Sequence, residues 1–369
     1  MKNIAVLGWE LPPVFSGGLG IHTMNLFTKL SNLLNITIYV PDIVMSAGQY
    51  PFNVFTINLS GYENSYGRSI EFFDLVKNYN DMIIENFNPE GIKLIHAHDW
   101  ITFQAGVQLK NIYHIPLVVT VHSTEFDRSG NFNPQERIME IEKTGIEQAD
   151  KVITVSNYTK NIIVKNYSAD EKKIRTIYNG VNSEIYYASR KSYSLKKKVL
   201  YFGRLTSQKG PKFFIEAALK VLGKKKDVQF IVAGEGEKMD EMVDLAGKYA
   251  GKEIIFLGFV KFHIAKYLYS DSDIFVLPAV SEPFGMTVLE SMVSGTPAII
   301  SKTTGVGEAL KNVLKVDFWD TDLLSEYMIS IFKYESLRKL MGQNGQMEAM
   351  KFTWDEAAIK TMAVYGDFL

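Results

Sequence analysis

Along the chain, short unbroken runs of apolar residues alternate with stretches in which apolar positions recur every three to four residues. The runs at 4–7, 36–40, 94–96, 117–121 and 152–155 are too short for helices, and their apolar character is continuous rather than alternating. Such runs read as strands buried on both faces. Between them, 21–34 and 100–110 carry helical periodicity. Strand and helix in strict alternation predict βαβ units and a parallel sheet covered by helices on both sides.

The rhythm breaks at 182–198, a polar stretch rich in Tyr, Ser and Lys, and then restarts. Runs at 199–203, 228–233, 254–257, 274–277 and 297–301 predict five further strands, with helices such as 211–222 between them. The expected organisation is α/β with two Rossmann-like domains, 1–187 and 188–350. A final helix over 351–369 is expected to pack back on the first domain, because Trp354, Met362, Tyr365 and Phe368 are spaced as one amphipathic face. Sheets of this kind bind ligands beyond the carboxyl ends of their strands, so residues just after each run are the candidates for chemistry.

Composition changes this picture little. A chain of 369 residues fits about two domains at roughly 150 residues each. A net charge of −1 leaves no broad basic field for nucleic acid or anionic lipid, so any phosphate recognition must be local. The absence of cysteine excludes disulfides, thiol nucleophiles and thiolate metal sites. The apolar run after Met1 is too short for a signal peptide and no run approaches a membrane span, so a cytoplasmic protein without stable membrane insertion is expected.

The sharpest chemical feature is Ser281-Glu282-Pro283-Phe284-Gly285-Met286-Thr287-Val288-Leu289-Glu290. Pro283 and Gly285 forbid a regular helix before Met286, so Glu282 lies in a loop and Glu290 in the second helical turn. A helix start offers unpaired N–H groups to an anion, and the two carboxylates can accept hydrogen bonds from sugar hydroxyls. Alone, the segment reads equally as a helix with two solvated glutamates. Its companion is Phe202-Gly203-Arg204-Leu205-Thr206-Ser207-Gln208-Lys209-Gly210. There Arg204 and Lys209 flank a turn at a strand end and are placed to neutralise a diphosphate. Single surface cations mean little; together with a helix start they make a diphosphate clamp.

These two segments resemble the donor site of glycosyltransferase family 4, which has the GT-B fold of two facing Rossmann-like domains. The spacing of Glu282 and Glu290 matches the family's E-x7-E signature, and the resemblance runs over nearly the whole chain. It implies Arg204 and Lys209 on the donor diphosphate, Glu290 on the nucleotide ribose and Glu282 near the transferred sugar. It also implies backbone contacts from Phe284, Gly285, Met286, Thr287 and Val288, and Phe259 in the segment that meets the base.

In the first half, Pro12-Pro13-Val14-Phe15-Ser16-Gly17-Gly18 joins a strand to its helix, and Gly17 and Gly18 allow close approach to phosphate or sugar. His96-Ala97-His98-Asp99-Trp100 resembles the HxHDW stretch of glycogen and starch synthases, which implies His98 and Asp99 facing the sugars and His96 as structural. The same stretch offers two histidines and an aspartate to a metal, but no further ligand stands out, and no metal is expected. The resemblance puts His122 beside the reacting sugar; a strand-end histidine is otherwise often just packing. Asn179, in Tyr178-Asn179-Gly180-Val181, is a sugar contact or simply makes the turn. The DxD-like Asp271-Ser272-Asp273 and Asp320-Thr321-Asp322 read as structural, Gly234-Glu235-Gly236 as a strand-end turn, and His22 and His263 have no assigned partners.

The resemblance implies a retaining, metal-independent hexosyltransferase with no cofactor beyond its nucleotide sugar, in which the leaving phosphate helps deprotonate the acceptor. Arg204, Lys209, Glu282 and His122 would be its catalytic groups. The glycogen synthase-like stretches suggest UDP- or ADP-glucose as donor and an α-glucan as acceptor. Phe15 and Ile21 depart from bacterial ADP-glucose synthases, which carry lysine and an acidic residue there, so both bases stay open. Two alternatives remain, a small-molecule or lipid-linked acceptor and a nucleotide-sugar epimerase of similar fold. Lys29 is the lone Lys or Arg of the 21–34 helix, which argues against membrane docking.

Overall fold

The apolar runs become strands of two sheets in which every pairing is parallel. The computed structural model describes residues 1–12, 17–42, 49–59, 69–130, 132–187 and 196–369, with backbone only at 69–71 and 262–263. The residues Pro13, Val14, Phe15 and Ser16 of the Gly-rich segment therefore lie outside the described residues, as does the side chain of His263. By internal contacts the chain divides into one unit of 1–125, 134–179 and 354–369 and another of 126–133 and 180–353.

The first unit is built on β1 (Lys2–Leu7), β2 (Leu34–Pro41), β3 (Asn53–Ile57), β4 (Ile92–His98), β5 (Leu117–Val121), β6 (Lys151–Thr154) and β7 (Ile174–Thr176). Their order is β3-β2-β1-β4-β5-β6-β7, so the winding reverses between β1 and β4. Its helices are α1 (Gly18–Leu30), α2 (Ser69–Asn86), α3 (Trp100–Tyr113), α5 (Glu136–Gln148) and α6 (Asn157–Tyr167), while the short α4 (Glu125–Arg128) falls almost wholly in the 126–133 segment of the other unit. Helix α1 buries Gly20, Thr23, Leu26, Phe27 and Leu30, a stripe at helical spacing.

The second unit carries β8 (Lys197–Phe202), β9 (Val228–Ala233), β10 (Ile254–Gly258), β11 (Ile274–Leu277), β12 (Ala298–Ser301) and β13 (Leu314–Val316). Their order, β10-β9-β8-β11-β12-β13, reverses between β8 and β11. Its helices are α7 (Ser183–Tyr186), α8 (Pro211–Lys224), α9 (Met239–Ala246), α10 (Phe262–Asp271), α11 (Met286–Val293), α12 (Thr321–Lys333) and α13 (Glu335–Ala349). Both sheets are thus doubly wound, and each has one switch point where two loops diverge from neighbouring strands and leave a crevice.

The last helix, α14 (Trp354–Tyr365), belongs to the first unit and packs on α1 as expected, although of the expected face only Trp354 and Tyr365 are buried, Met362 and Phe368 being partly exposed. Trp354, Ala357, Ala358, Thr361, Val364 and Tyr365 face inward. Exposed ion pairs Lys29–Asp355 and Lys151–Asp367 flank this packing, but buried area rather than exposed charge holds it.

Strands β3, β7 and β13 have no counterpart in the sequence reading. All three are edge strands, and β7 and β13 have three residues each. An edge strand is covered less completely than a central one, so it needs no continuous apolar run.

Candidate active site

In the second unit the switch point lies between the loop after β8 and the loop after β11. Strand β8 ends at Phe202, and a 3-10 turn at Ser207–Lys209 leads to Gly210, the residue before α8. The buried Tyr201 hydroxyl, on the strand, donates to the Arg204 carbonyl at 2.9 Å and reaches the Lys209 carbonyl at 3.4 Å. That ties both ends of the loop to the core. The Arg204 side chain is exposed, while Lys209 is largely covered.

Strand β11 leads into 278–285, whose backbone is stitched to both neighbours. Val280 N–H donates to the Gln208 carbonyl at 2.9 Å, and Glu282 N–H donates to the Thr303 carbonyl at 3.0 Å. Ser281 hydrogen-bonds the buried Asp127. Gly285 then takes φ +102 at the start of α11, a conformation L side chains rarely adopt. These constraints bring Glu282 against the other loop, and Lys209 Nζ lies 2.6 Å from Glu282 Oε2. Arg204, Lys209, Glu282 and the start of α11 are thereby gathered at the carboxyl ends of β8 and β11. Phe284 and Val288 are buried.

One turn into α11, Glu290 is buried, and its Oε2 accepts the Tyr269 hydroxyl at 2.7 Å. Tyr186 lies beside the same carboxylate. Burial pushes the Glu290 pKa up, against the two tyrosine hydroxyls that lower it. A carboxyl raised by folding adds stability at low pH that is lost as pH rises through its folded value. Glu290→Gln removes that loss. The variant is expected to melt higher than the parent at neutral pH but not below pH 4, in a thermal-melt series across pH. If Glu290 also serves the donor, the same variant raises the donor KM by about tenfold or more, the scale of a hydrogen bond to a charged group.

Phe259 follows β10 and is 67% exposed. Its N–H donates to Glu235 Oε1 at 3.0 Å, and the Glu235 carbonyl accepts the Leu205 N–H at 2.8 Å. The Gly234-Glu235-Gly236 turn therefore links the Arg204 loop to Phe259. Sequence reasoning missed Thr206, Tyr269 and Tyr186. The Thr206 hydroxyl is buried in the Arg204–Lys209 loop with no hydrogen-bond partner among the described residues. Nothing local distinguishes these from core residues.

In the first unit the candidates gather at the ends of β4 and β5. His96 is spent on structure: Nδ1 meets the Tyr365 hydroxyl at 2.5 Å and Nε2 meets Thr120 at 2.7 Å. His98 is buried, with Nδ1 3.0 Å from His122 Nε2. Asp99 has φ +56, unusual for a side chain larger than hydrogen, and its Oδ1 accepts the N–H of His122 at 2.7 Å. The Asp99 carboxylate thus holds the backbone of His122 in place. Asn179 Oδ1 accepts from His22 Nδ1 at 2.8 Å, which brings into the cluster a histidine with no role in the sequence reading.

Gly17 precedes α1, and a Cβ there would lie 2.7 Å from Glu10 Oε2. The Gly20 N–H donates to that same carboxylate oxygen at 3.1 Å. The helix start expected to meet a phosphate or sugar is thus approached by an anionic group of the chain itself.

Comparison with known proteins bears on the family and the fold. Residues 16–185 match the family model described as Glycosyltransferase Family 4, and residues 183–348 match the one described as Glycosyl transferases group 1. An uncharacterized glycosyltransferase of Methanocaldococcus jannaschii is 28% identical, over 98% of this chain and 97% of its own. Glycogen synthase of Mycobacterium tuberculosis is 27% identical, over 84% of this chain and 80% of its own. Sucrose-phosphate synthase from Thermosynechococcus elongatus aligns with a TM-score of 0.84 at 20% identity, covering 100% of this chain and 99% of that one, a likeness of fold alone. No helix among the described residues is long and apolar enough to cross a membrane.

Proposed function

The chain belongs to the family 4 glycosyltransferases, retaining enzymes of the GT-B fold that use nucleotide sugars, and from that premise we propose that it moves glucose from UDP- or ADP-glucose onto an α-glucan. Membership sets aside the epimerase alternative. The observation that carries the donor reading is the Lys209–Glu282 pair beside the exposed Arg204, at the switch point of the second unit.

In this reading, residues 188–350 form the donor domain, residues 1–187 form the acceptor domain, and 351–369 return to the latter. Leaving of a nucleoside diphosphate concentrates negative charge on the β-phosphate. Arg204 supplies a planar fork of N–H donors to it, Lys209 a point charge, and the start of α11 backbone N–H groups. Glu282 alone would repel a diphosphate. With Lys209 between them, the carboxylate can accept sugar hydroxyls while the ammonium faces phosphate oxygen. Thr206 offers its hydroxyl to the same phosphates, Glu290 takes the ribose hydroxyls, and Phe259 presents a ring face to the base. His98, Asp99, His122 and Asn179 serve the sugars, and Gly17 and Gly18 meet the donor.

The glucan acceptor is supported by the His98-Asp99-Trp100 stretch and by the relative named glycogen synthase. Phe15 and Ile21, where bacterial ADP-glucose synthases have lysine and an acidic residue, leave UDP-glucose as open as ADP-glucose, and a small-molecule acceptor is the second reading. A lipid-linked acceptor is less well supported, since Lys29 of α1 is paired with Asp355. The test is a matrix of UDP- and ADP-glucose against glycogen, maltooligosaccharides and lipid extract, read as nucleoside diphosphate release. Release that depends on a glucan supports the first reading. Release with neither glucan overturns it.

A further inference from the structure

Three imidazoles from separate elements converge in the first unit: His22 from α1, His98 from the end of β4 and His122 just after β5. One ring nitrogen of each lies within 4.8 Å of the others. A tetrahedral cation bonded to imidazole nitrogens at about 2.0–2.1 Å holds them about 3.3 Å apart, and His98 Nδ1 and His122 Nε2 already stand at 3.0 Å. We propose that His22, His98 and His122 form a three-nitrogen site for a transition-metal cation of the Zn2+ type, with its remaining coordination position on the solvent side of His122.

The surrounding bonds orient the rings for this. A carbonyl oxygen can only accept, so the contact between Asn179 Oδ1 and His22 Nδ1 puts the proton on Nδ1. His22 Nε2 is then left with its lone pair, and it is buried without a hydrogen-bond partner among the described residues. That is how metal-binding histidines are commonly set, the outer N–H held by an oxygen so that the inner nitrogen faces the cation. Interiors seldom leave such an atom unpaired. Asp99 fixes the third ligand through the backbone of His122.

Burial keeps the rings neutral at pH 7: His22 is lowered to about 4, and His98 and His122 lie well below the ordinary histidine range. Neutral rings have lone pairs to give. Binding replaces the N–H···N bond of His98 and His122, and its proton moves to the outer nitrogen of the ring that carried it. Three imidazoles and no carboxylate among the ligands select Zn2+ or Co2+ over Mg2+ or Ca2+. His122 is partly exposed, which leaves an entry path.

The consequence for catalysis rests on the proposed role of His122 beside the sugar: a cation held there withdraws His122 from substrate and inhibits transfer. The experiment uses the full chain without an affinity tag, stripped with chelator. Zn2+ binding is measured by competition with a chromophoric chelator, Co2+ binding by visible absorption, and transfer by nucleoside diphosphate release. One equivalent of Zn2+ is expected, with affinity reduced at least tenfold in His22→Ala and in Asn179→Ala but not in His114→Ala. Circular dichroism checks that each variant is folded, and Asn179→Ala keeps all three ligands should His22→Ala fail to fold. Absence of stoichiometric binding, or equal affinity in the parent and both variants, overturns the proposal even if transfer is active. Stoichiometric binding that leaves transfer untouched supports the metal site and counts against the sugar role of His122.

Discussion

Lys209→Ala is expected to lower the maximal rate of nucleoside diphosphate release by about 10²–10³-fold, the effect of removing one preorganised group that stabilises developing charge. Lys209 is paired with Glu282 at 2.6 Å, and both side chains are mostly covered. Removing the ammonium leaves a carboxylate with little solvent facing the donor phosphates, so the variant loses an attraction and gains a repulsion. Arg204→Ala has no such second effect, because Arg204 forms no ion pair among the described residues. Its loss is expected to be the smaller of the two, and Arg204→Lys is expected to recover only part of it, since an ammonium cannot engage two phosphate oxygens in one plane. The double variant Lys209→Ala/Glu282→Ala separates the effects: if repulsion matters, its donor KM lies below that of Lys209→Ala. Rates within about threefold of the parent for both Lys209→Ala and Arg204→Ala would remove the basis for placing the diphosphate there.

Gly234→Ala is expected to destabilise the second unit by about 3 kcal/mol or more, because it combines strained backbone with a forced shift of a neighbouring loop. Gly234 has φ +139, and a Cβ on it would stand 1.9 Å from the Gly203 carbonyl oxygen. Neither the turn nor the end of β8 can yield without moving Gly203, and Arg204 is the next residue. Activity should therefore fall further than the loss of folded protein explains, measured as specific activity of the soluble fraction beside its thermal melt. Gly223→Ala is the opposite case. Gly223 lies near the end of α8, and nothing stands within 4 Å of a Cβ added there. Alanine at that place should stabilise by about 0.5–1 kcal/mol, through helix propensity and a less disordered unfolded chain. A melt showing the same sign for both variants would mean that backbone approach at Gly234 is not the controlling feature.

Much of the candidate site in the second unit is legible in sequence because it rests on local rules. Pro283 and Gly285 fix where α11 can start, and the position of Glu290 follows from that start. Arg204 and Lys209 stand out because they bracket the first turn after a buried strand. The side-chain partners are not legible. That Tyr269 and Tyr186 converge on Glu290, or that Thr206 keeps a buried hydroxyl, depends on segments distant in sequence, and no spacing rule reports such meetings.

His22 is the clearest example. In sequence it is a lone histidine on an amphipathic helix. In the fold it meets His122, Asn179 and Trp354, which lie roughly 100 to 330 positions away. Apolar periodicity by itself determined the strands, the parallel sheets and the last helix, since burying apolar surface is a local demand that each element writes into its own residues. Strand order, the three edge strands β3, β7 and β13, the Lys209–Glu282 pair and the three-histidine cluster were decided only by tertiary structure. They depend on which elements become neighbours, and that is a property of the whole packed chain.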